Sequence, residues 1–210
     1  MQSLEEARAA LQVAKPTILV HDATGLTTEQ LKRSCQRSLT ADYLWAPKEA
    51  AIICFTSGTT GRPKGVTLSH SALVVQSLAK IAIVGYSEDD VYLHTAPLCH
   101  IGGISSALAL LMAGGCHILL PKFEAKLAVE SIDQHSVTSL ITVPAMMTDL
   151  ISFYRTKHIS VGSKSVKKVL NGAGGLSSGL IKNAIDIFPR AKLLSAYGMT
   201  EACSSLTFMT

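Results

Sequence analysis

The stretch FTSGTTGRPKGV at residues 55–66 places hydroxyls, glycines and a lysine directly after the apolar run AAIICF at 50–55. The apolar run predicts a buried strand, and the residues that follow Pro63 predict a second strand. Glycines let the backbone approach a ligand closely, and small hydroxyls together with Lys64 suit a phosphate group. The stretch therefore predicts a phosphate-binding loop held between two strands, as in a hairpin.

Two common phosphate-binding motifs do not fit this stretch. A Walker loop needs Gly-Lys-Ser/Thr four residues after its first glycine, but Pro63-Lys64-Gly65 stands there after Gly58. The dinucleotide pattern G-x-G-x-x-G is absent both here and in NGAGGL at 171–176. A phosphate-loop NTPase is therefore disfavoured.

Outward from this loop, short apolar runs alternate with helix-length amphipathic segments. Strands are predicted at 17–20, 50–55, 91–96, 116–121, 139–143, 167–172 and 192–198. Helices are predicted near 69–84, 103–113, 125–135, 144–155 and 177–188. This alternation predicts an α/β fold with layered, largely parallel sheets flanked by helices.

Three polar stretches, at 56–65, 171–175 and 197–201, each follow a predicted strand. In open α/β sheets, ligands bind at the carboxyl ends of the strands. We therefore expect the three stretches to converge on one crevice.

The composition of the 210-residue chain restricts its class. Its hydrophobic share of 48% and charged share of 16% predict a sizeable core and exclude a disordered chain. The net charge of +4 is mild and its basic residues are spread, so we predict a solvated basic face and no nucleic-acid partner.

Glycines at 114–115 interrupt the longest apolar run, at 104–120, which predicts a helix, a turn and a strand and no membrane span. The five cysteines lack C-x-x-C spacing and are predicted to be small buried hydrophobes.

The stretch TSGTTGRPKG at 56–65 closely resembles the phosphate-binding stretch of the adenylate-forming acyl- and aryl-CoA ligases, the superfamily of luciferase and the peptide-synthetase adenylation domains. PLCHIGG at 97–103 resembles that family's substrate-pocket motif, and YGMTEA at 197–202 resembles its adenine-and-metal motif. NGAGGLSS at 171–178 stands where the family has a glycine-rich adenine loop. The three motifs at 56–65, 97–103 and 197–202 occur in the family's order.

This resemblance implies a partial AMP-binding domain at 46–210, a truncated portion of the family's large N-terminal domain. Residues 1–45 form an N-terminal segment without a readable motif. We expect the family's lysine-bearing C-terminal domain to be absent from the chain. The resemblance also implies a chloroplast or a peroxisome, and no targeting signal is recognised in the sequence.

The resemblance further implies that ATP, Mg²⁺, coenzyme A and a small aromatic carboxylic acid are the ligands. The implied triphosphate contacts are Thr56, Ser57, Gly58, Thr59, Thr60, Gly61 and Lys64. The implied adenosine contacts are Gly172, Ala173, Gly174, Tyr197 and Gly198. Thr200 is implied to contact the α-phosphate, and Glu201 to bind Mg²⁺. The acyl pocket is implied to contain His100, Gly102 and Gly103, and the implied catalytic set is Lys64, His100, Thr200 and Glu201.

The implied reaction is adenylation of the acid with release of pyrophosphate, followed by thioester formation. A carboxylate is already anionic at neutral pH, so the protein needs to place it and to neutralise phosphate charge. Two alternatives remain: a nucleotide-binding module without the chemistry, and an acyl-CoA synthetase for another acid. A single histidine such as His100 is commonly structural, and His70, His94 and His117 are predicted to be so. A Thr-Glu pair commonly begins a helix.

Overall fold

The computed structural model describes residues 50–56, 63–157 and 164–209. The chain divides into two compact units, Met1–Ser71 and Ala72–Thr210. The predicted strand at 17–20 and the loop residues 57–62 lie outside the described residues.

A two-stranded antiparallel hairpin is the described part of the first unit. Strand β1 (Ala50–Thr56) pairs with β2 (Lys64–Ser69), with Thr56 opposite Lys64. The predicted strands on both sides of the phosphate loop are therefore confirmed. The prediction that the first of them is buried is wrong, because Ile53 is 41% exposed and, among the described residues, β1 pairs only with β2, in a separate sheet.

A six-stranded sheet forms the centre of the second unit, in the order β4-β3-β5-β6-β7-β8. Neighbouring strands are parallel except for the last pair, in which β8 runs antiparallel to β7. The strands are β3 (Val91–His94), β4 (Cys116–Leu119), β5 (Ser139–Thr142), β6 (Lys168–Asn171), β7 (Lys192–Met199) and β8 (Ser204–Met209). The predicted α/β fold with a largely parallel sheet is confirmed.

Five helices connect the strands: α1 (His70–Val84), α2 (Ile101–Ala113), α3 (Ala125–His135), α4 (Pro144–Thr156) and α5 (Ser178–Ile187). Pro144 occupies the first turn of α4, where its missing N–H is not needed. Ser177 caps α5 by accepting a hydrogen bond from the Leu180 N–H at 3.3 Å. Among the described residues, no helix has both the length and the apolar character that a membrane crossing requires.

Both faces of the sheet are covered. Adjacent residues of one strand point to opposite faces, so Leu93 and Leu140 pack in one core cluster and Tyr92 and Ile141 in another. Helices α3, α4 and α5 contribute to the first cluster, and α1 and α2 to the second. With both faces occupied by helices, the ends of the strands are left for ligand binding.

Asp90 ties together the amino ends of three strands. Its buried carboxylate accepts hydrogen bonds from the Thr138 and Ser139 hydroxyls, each at 2.7 Å, and pairs with Lys168. Burial alone would raise the pKa of Asp90, but these partners and the Ser87 N–H hold that pKa below its ordinary value. The carboxylate therefore fixes β3, β5 and β6 at the amino edge of the sheet.

The prediction that the cysteines are buried holds for two of the four that the structure describes. Cys54 and Cys203 are buried, whereas Cys99 and Cys116 are exposed. Cys116 begins β4, which is an edge strand of the sheet, and edge strands have one open side.

Candidate nucleotide and acyl site

The hairpin of the first unit holds the two ends of the predicted phosphate loop. Thr56 and Lys64 lie opposite each other in the antiparallel register, and Lys64 is exposed. The other predicted triphosphate contacts, Ser57, Gly58, Thr59, Thr60 and Gly61, lie outside the described residues. The structure thus brings a hydroxyl residue and an exposed lysine to the loop end of one hairpin.

The remaining predicted stretches lie at the carboxyl edge of the parallel sheet in the second unit. Thr142 of β5 is opposite Asn171 of β6, and Asn171 is opposite Ser195 of β7, so these strands reach this edge together. The stretch at 97–103 follows β3, the stretch at 171–175 ends β6, and the stretch at 197–201 ends β7. Convergence of this edge with the phosphate loop stays a prediction.

His100 is the N-cap of α2. Its Nδ1 accepts a hydrogen bond from the Gly102 N–H at 3.0 Å, and its carbonyl accepts from Gly103 and Ile104. Because Nδ1 accepts, a neutral His100 carries its proton on Nε2. The exposed ring therefore combines a structural role with a donor that remains available to a carboxylate.

Two glycines shape the first turn of α2. A Cβ on Gly103 would lie 2.2 Å from the Pro97 carbonyl oxygen, so the loop before the helix requires a glycine there. A Cβ on Gly102 would lie 3.3 Å from Nδ1 of His100 and 4.0 Å from Ile141. The small size of Gly103 is thus explained by backbone packing, and a contact of either glycine with an acid stays a prediction.

The glycine-rich loop after β6 is folded and exposed. Asn171 donates from Nδ2 to the Gly174 carbonyl at 2.7 Å, and Gly172 donates to the Thr142 carbonyl at 2.9 Å. Ala173, at φ 60°, adopts the left-handed conformation. Sequence reasoning missed Asn171, although an asparagine at the end of an apolar run is a turn signal. Its buried side chain gives the loop a defined shape.

The stretch at 197–201 passes from β7 into a 3-10 helix, Thr200–Ala202. A Cβ on Gly198 would lie 1.7 Å from the Ser204 carbonyl oxygen of β8, so no side chain fits there. Tyr197 is 65% exposed, and Glu201 is exposed as well. Thr200 and Glu201 do begin a short helix. The Tyr197 ring and the Glu201 carboxylate are nevertheless both accessible at the carboxyl edge of the sheet.

The oxygen atoms of Thr200 and Glu201 suit a hard cation that also binds phosphate oxygens. Among the described residues, no group of three or more His, Cys, Asp or Glu side chains could hold a metal ion. Mg²⁺ typically uses one or two carboxylates together with substrate phosphates and water. A single exposed Glu201 beside Thr200 fits that mode of binding.

His94 and His117 contact each other across β3 and β4. The His94 Nε2 and His117 Nδ1 atoms are 2.9 Å apart, and the rings stack at 5.1 Å. Burial and the neighbouring His117 lower the pKa of His94 to about 4, so the ring is neutral at physiological pH. This pairing agrees with the structural role predicted for both residues.

A shallow groove lies elsewhere, between α3 and α4. It is lined by apolar and polar side chains of those helices, among them Phe123, Asp149 and Phe153. None of the residues predicted from the sequence motifs lines this groove, so it does not compete with the carboxyl edge as the candidate site.

Comparison with known proteins decides the family. The protein-family model described as AMP-binding enzyme matches residues 1–210 of the chain. The chain belongs to the AMP-binding enzyme family. The family predicted from the three motifs is therefore confirmed.

Among curated relatives of this AMP-binding enzyme is the chloroplastic/peroxisomal 2-succinylbenzoate–CoA ligase of Arabidopsis thaliana. It is 63% identical over 185 residues, which cover 88% of this chain and 33% of that protein. The chain thus spans about a third of the length of this relative.

Solved structures of o-succinylbenzoate CoA synthetase from Bacillus subtilis are similar to the chain. A double mutant bound with its product analogue OSB-NCoA has 27% identity and a TM-score of 0.67, over 78% of this chain and 32% of that chain. The complex with ATP and magnesium ion has a TM-score of 0.79 over 100% of this chain and 45% of that chain. At 23% identity, the second likeness shows the fold.

Proposed function

We propose that the chain is the ATP- and acid-binding part of an AMP-forming 2-succinylbenzoate–CoA ligase. The observation that carries this proposal is the 63% identity to the Arabidopsis thaliana ligase over 88% of the chain. The three motif-bearing stretches support it, because each follows a strand at a position where a ligand can be reached. We extend the proposal to a chloroplast or peroxisome, following the name of that relative.

In the proposed first step, an oxygen of the substrate carboxylate attacks the α-phosphorus of ATP. The bond from the α-phosphorus to the bridging oxygen breaks, and pyrophosphate leaves with the electron pair. In the second step, the thiol of coenzyme A releases its proton and its sulfur attacks the carbonyl carbon of the acyl-adenylate. The bond from that carbon to the phosphate oxygen breaks, and AMP leaves with the electron pair. The products are the acid's CoA thioester, AMP and pyrophosphate.

We assign the triphosphate to the phosphate loop, from Thr56 through Gly61, with Lys64 neutralising the charge of the leaving pyrophosphate. Charge-assisted hydrogen bonds of this type contribute about 1.5–3 kcal/mol each, so a few of them hold a triphosphate. Mg²⁺ would be held by Glu201 and would offset negative charge on the phosphate oxygens. Thr200, which directly precedes Glu201, would donate a hydrogen bond from its hydroxyl to the α-phosphate.

The adenine would lie between the exposed ring of Tyr197 and the loop at 172–174. A flat purine needs little side-chain bulk beside it, and an exposed tyrosine offers a stacking face. His100 would donate its Nε2 proton to the substrate carboxylate, because Nδ1 is already used by the Gly102 N–H. This donor holds the carboxylate without removing its nucleophilic charge.

The proposal is tested by ATP–pyrophosphate exchange in a full-length protein that carries this sequence. We expect exchange that requires both Mg²⁺ and 2-succinylbenzoate, and that falls at least about a hundredfold in Glu201→Gln. Glu130→Gln is the matched control, because Glu130 lies in an exposed ion pair on α3 and should leave exchange unchanged.

Three outcomes would contradict the proposal. Exchange without added acid, or release of inorganic phosphate, would indicate another nucleotide chemistry. Exchange that requires a different acid would replace the substrate. Nucleotide binding without exchange would favour a module that has the fold but not the reaction.

A further inference from the structure

Asn171, the last residue of β6, is a buried asparagine that uses only half of its amide. It is 1% exposed, and its Nδ2 donates to the Gly174 carbonyl at 2.7 Å. Its Oδ1 is buried without a hydrogen-bond partner. A buried acceptor without a partner is unfavourable, so an apolar side chain would serve the end of this strand better. The asparagine is therefore explained by what its donor does for the loop that follows.

The bond from Asn171 closes a loop with a strained backbone. Ala173 has a φ of 60°, a left-handed conformation that the Cβ of an alanine disfavours. The Gly172 N–H donates to the Thr142 carbonyl at 2.9 Å and so fixes the start of the loop on β5. The Asn171 side chain fixes its far side, at the Gly174 carbonyl. Strain of this kind persists only where the surroundings hold it, and here two hydrogen bonds hold it.

The same loop presents bare backbone at the carboxyl edge of the sheet. Ala173, Gly174 and Gly175 are exposed, whereas Asn171 lies beneath them. An added Cβ at Gly172 or Gly175 would meet no described atom within 4 Å, so packing among the described residues does not require either glycine. This open surface of small residues is the one that the proposed function places against adenine.

We propose that Asn171 is a positioning residue for the base of ATP. This inference rests on the proposed function. The side chain does not contact the nucleotide and acts through the Gly174 carbonyl, which holds Ala173 in its strained conformation before ATP binds. Without this bond the loop relaxes, and ATP binding has to order it again at a cost in affinity. The cost falls on the base and not on the phosphates, which the proposed function assigns to the phosphate loop.

The test measures ATP–pyrophosphate exchange in the full-length protein, with separate KM values for ATP, pyrophosphate and 2-succinylbenzoate. Asn171→Ala removes the donor, and Asn171→Asp keeps the shape but replaces Nδ2 by an oxygen of a carboxylate. Asn183→Ala is the matched control, because Asn183 of α5 accepts a hydrogen bond from Arg155 at 2.7 Å, away from the candidate site.

We expect the KM for ATP to rise at least about fivefold in both Asn171 variants. The KM values for pyrophosphate and for the acid should change by less than about twofold, which also shows that the variants fold. An equal rise in all three KM values, or no rise for ATP, would overturn the inference. A rise in Asn171→Ala that Asn171→Asp does not share would also overturn it, because the donor would then not be responsible.

A second substitution tests whether the strain at Ala173 is the link. Glycine adopts a φ of 60° without a steric penalty, so the loop depends less on Asn171 when residue 173 is a glycine. We expect the rise in KM for ATP caused by Asn171→Ala to be at least about threefold smaller in the Ala173→Gly background. A rise of the same size in both backgrounds would show that Asn171 does not act through the shape of the loop.

Failure of the proposed function has a different signature. If wild type binds ATP but shows no exchange with 2-succinylbenzoate, the proposed reaction fails, and the Kd values for ATP in the same variants still decide the role of Asn171. If wild type shows exchange and the Asn171 variants keep its KM for ATP, the proposed function stands and the role of Asn171 is rejected. If wild type binds no ATP, both proposals fail together.

Discussion

Gly198 is the glycine, among those that the structure describes, at which an added Cβ would meet the closest obstacle. A Cβ there would lie 1.7 Å from the Ser204 carbonyl oxygen and 2.5 Å from its carbon, both on the backbone of β8. Neither atom can turn aside as a side chain would. The end of β7 can therefore approach β8 only because residue 198 is a glycine.

We predict that Gly198→Ala lowers the free energy of unfolding by about 1–3 kcal/mol, the range typical of overpacking. It should also weaken ATP binding, because Tyr197 and Glu201 lie on either side of the displaced backbone. Denaturant unfolding and nucleotide titration measure the two effects. Gly179→Ala is the control: nothing lies within 4 Å of its Cβ, and α5 should gain up to about 1 kcal/mol. Equal stabilities for the two variants would contradict this explanation.

Lys80 makes stability depend on pH. Its pKa is lowered from 10.5 to about 7 by burial, so between these values the unfolded chain binds more protons than the folded one. The free energy of unfolding should then rise with pH over this window, by at most about 1.4 kcal/mol per pH unit. We predict that the stability of wild type relative to Lys80→Met rises between pH 7 and pH 10. A difference that is constant with pH would show that Lys80 is neutral throughout, or that its pKa is ordinary.

At the scale of the element, α2 begins at a residue with two separable roles. His100 satisfies a backbone N–H of the first turn through Nδ1, and in the proposed function it donates from Nε2 to the acid. An asparagine in its place would still cap the helix but would place no donor at the Nε2 position.

We predict that His100→Asn keeps the stability of wild type within about 0.5 kcal/mol, whereas His100→Ala loses about 1 kcal/mol of the cap. Both variants should lose at least about tenfold in acid-dependent exchange. Thermal unfolding and exchange assays separate the two roles. Full exchange activity in His100→Asn would show that the histidine serves the helix alone.

Several elements were predictable because their signals are local. Pro144 and Ser177 mark helix starts that depend on nearby backbone groups, and the helices were predicted to within two residues. The strand predicted at 91–96 ends at His94, because whether residues join a ladder depends on the neighbouring strands. The separate hairpin sheet, with its half-exposed β1, and the sheet order β4-β3-β5 also depend on distant contacts that a periodicity does not contain.

The candidate site was predictable only in part, for a similar reason. Contiguous motifs identified the loops at the carboxyl edge, because a loop that binds phosphate or adenine carries its chemistry in consecutive residues. Asn171 was missed although its partner, the Gly174 carbonyl, lies only three residues away. Lys80 of α1 was missed because its partners, Ser105 and Ser106, are distant in sequence and buried. A lysine in a helix is ordinarily assigned to the surface, and the sequence around Lys80 contains nothing to contradict that.

At the scale of the whole molecule, a ligand that binds only the folded protein must stabilise it. At a concentration of a hundred times its Kd, such a ligand adds about 2.7 kcal/mol to the free energy of unfolding. We predict that ATP raises the melting temperature of the full-length protein more in Mg²⁺ than in a chelator. Glu201→Gln should remove this difference, and Glu130→Gln should not. A shift that is the same with and without Mg²⁺ would contradict the role of Glu201.

The Asp90 tie at the amino edge has a consequence for how such a protein changes over time. The bonds that fix β3, β5 and β6 relative to one another lie at the ends of the strands opposite the candidate site. Under the proposed function, substitutions in the loops at the carboxyl edge would leave these bonds in place. We therefore expect those loops to tolerate changes that suit a different acid while Asp90, Thr138, Ser139 and Lys168 keep the three strands in register.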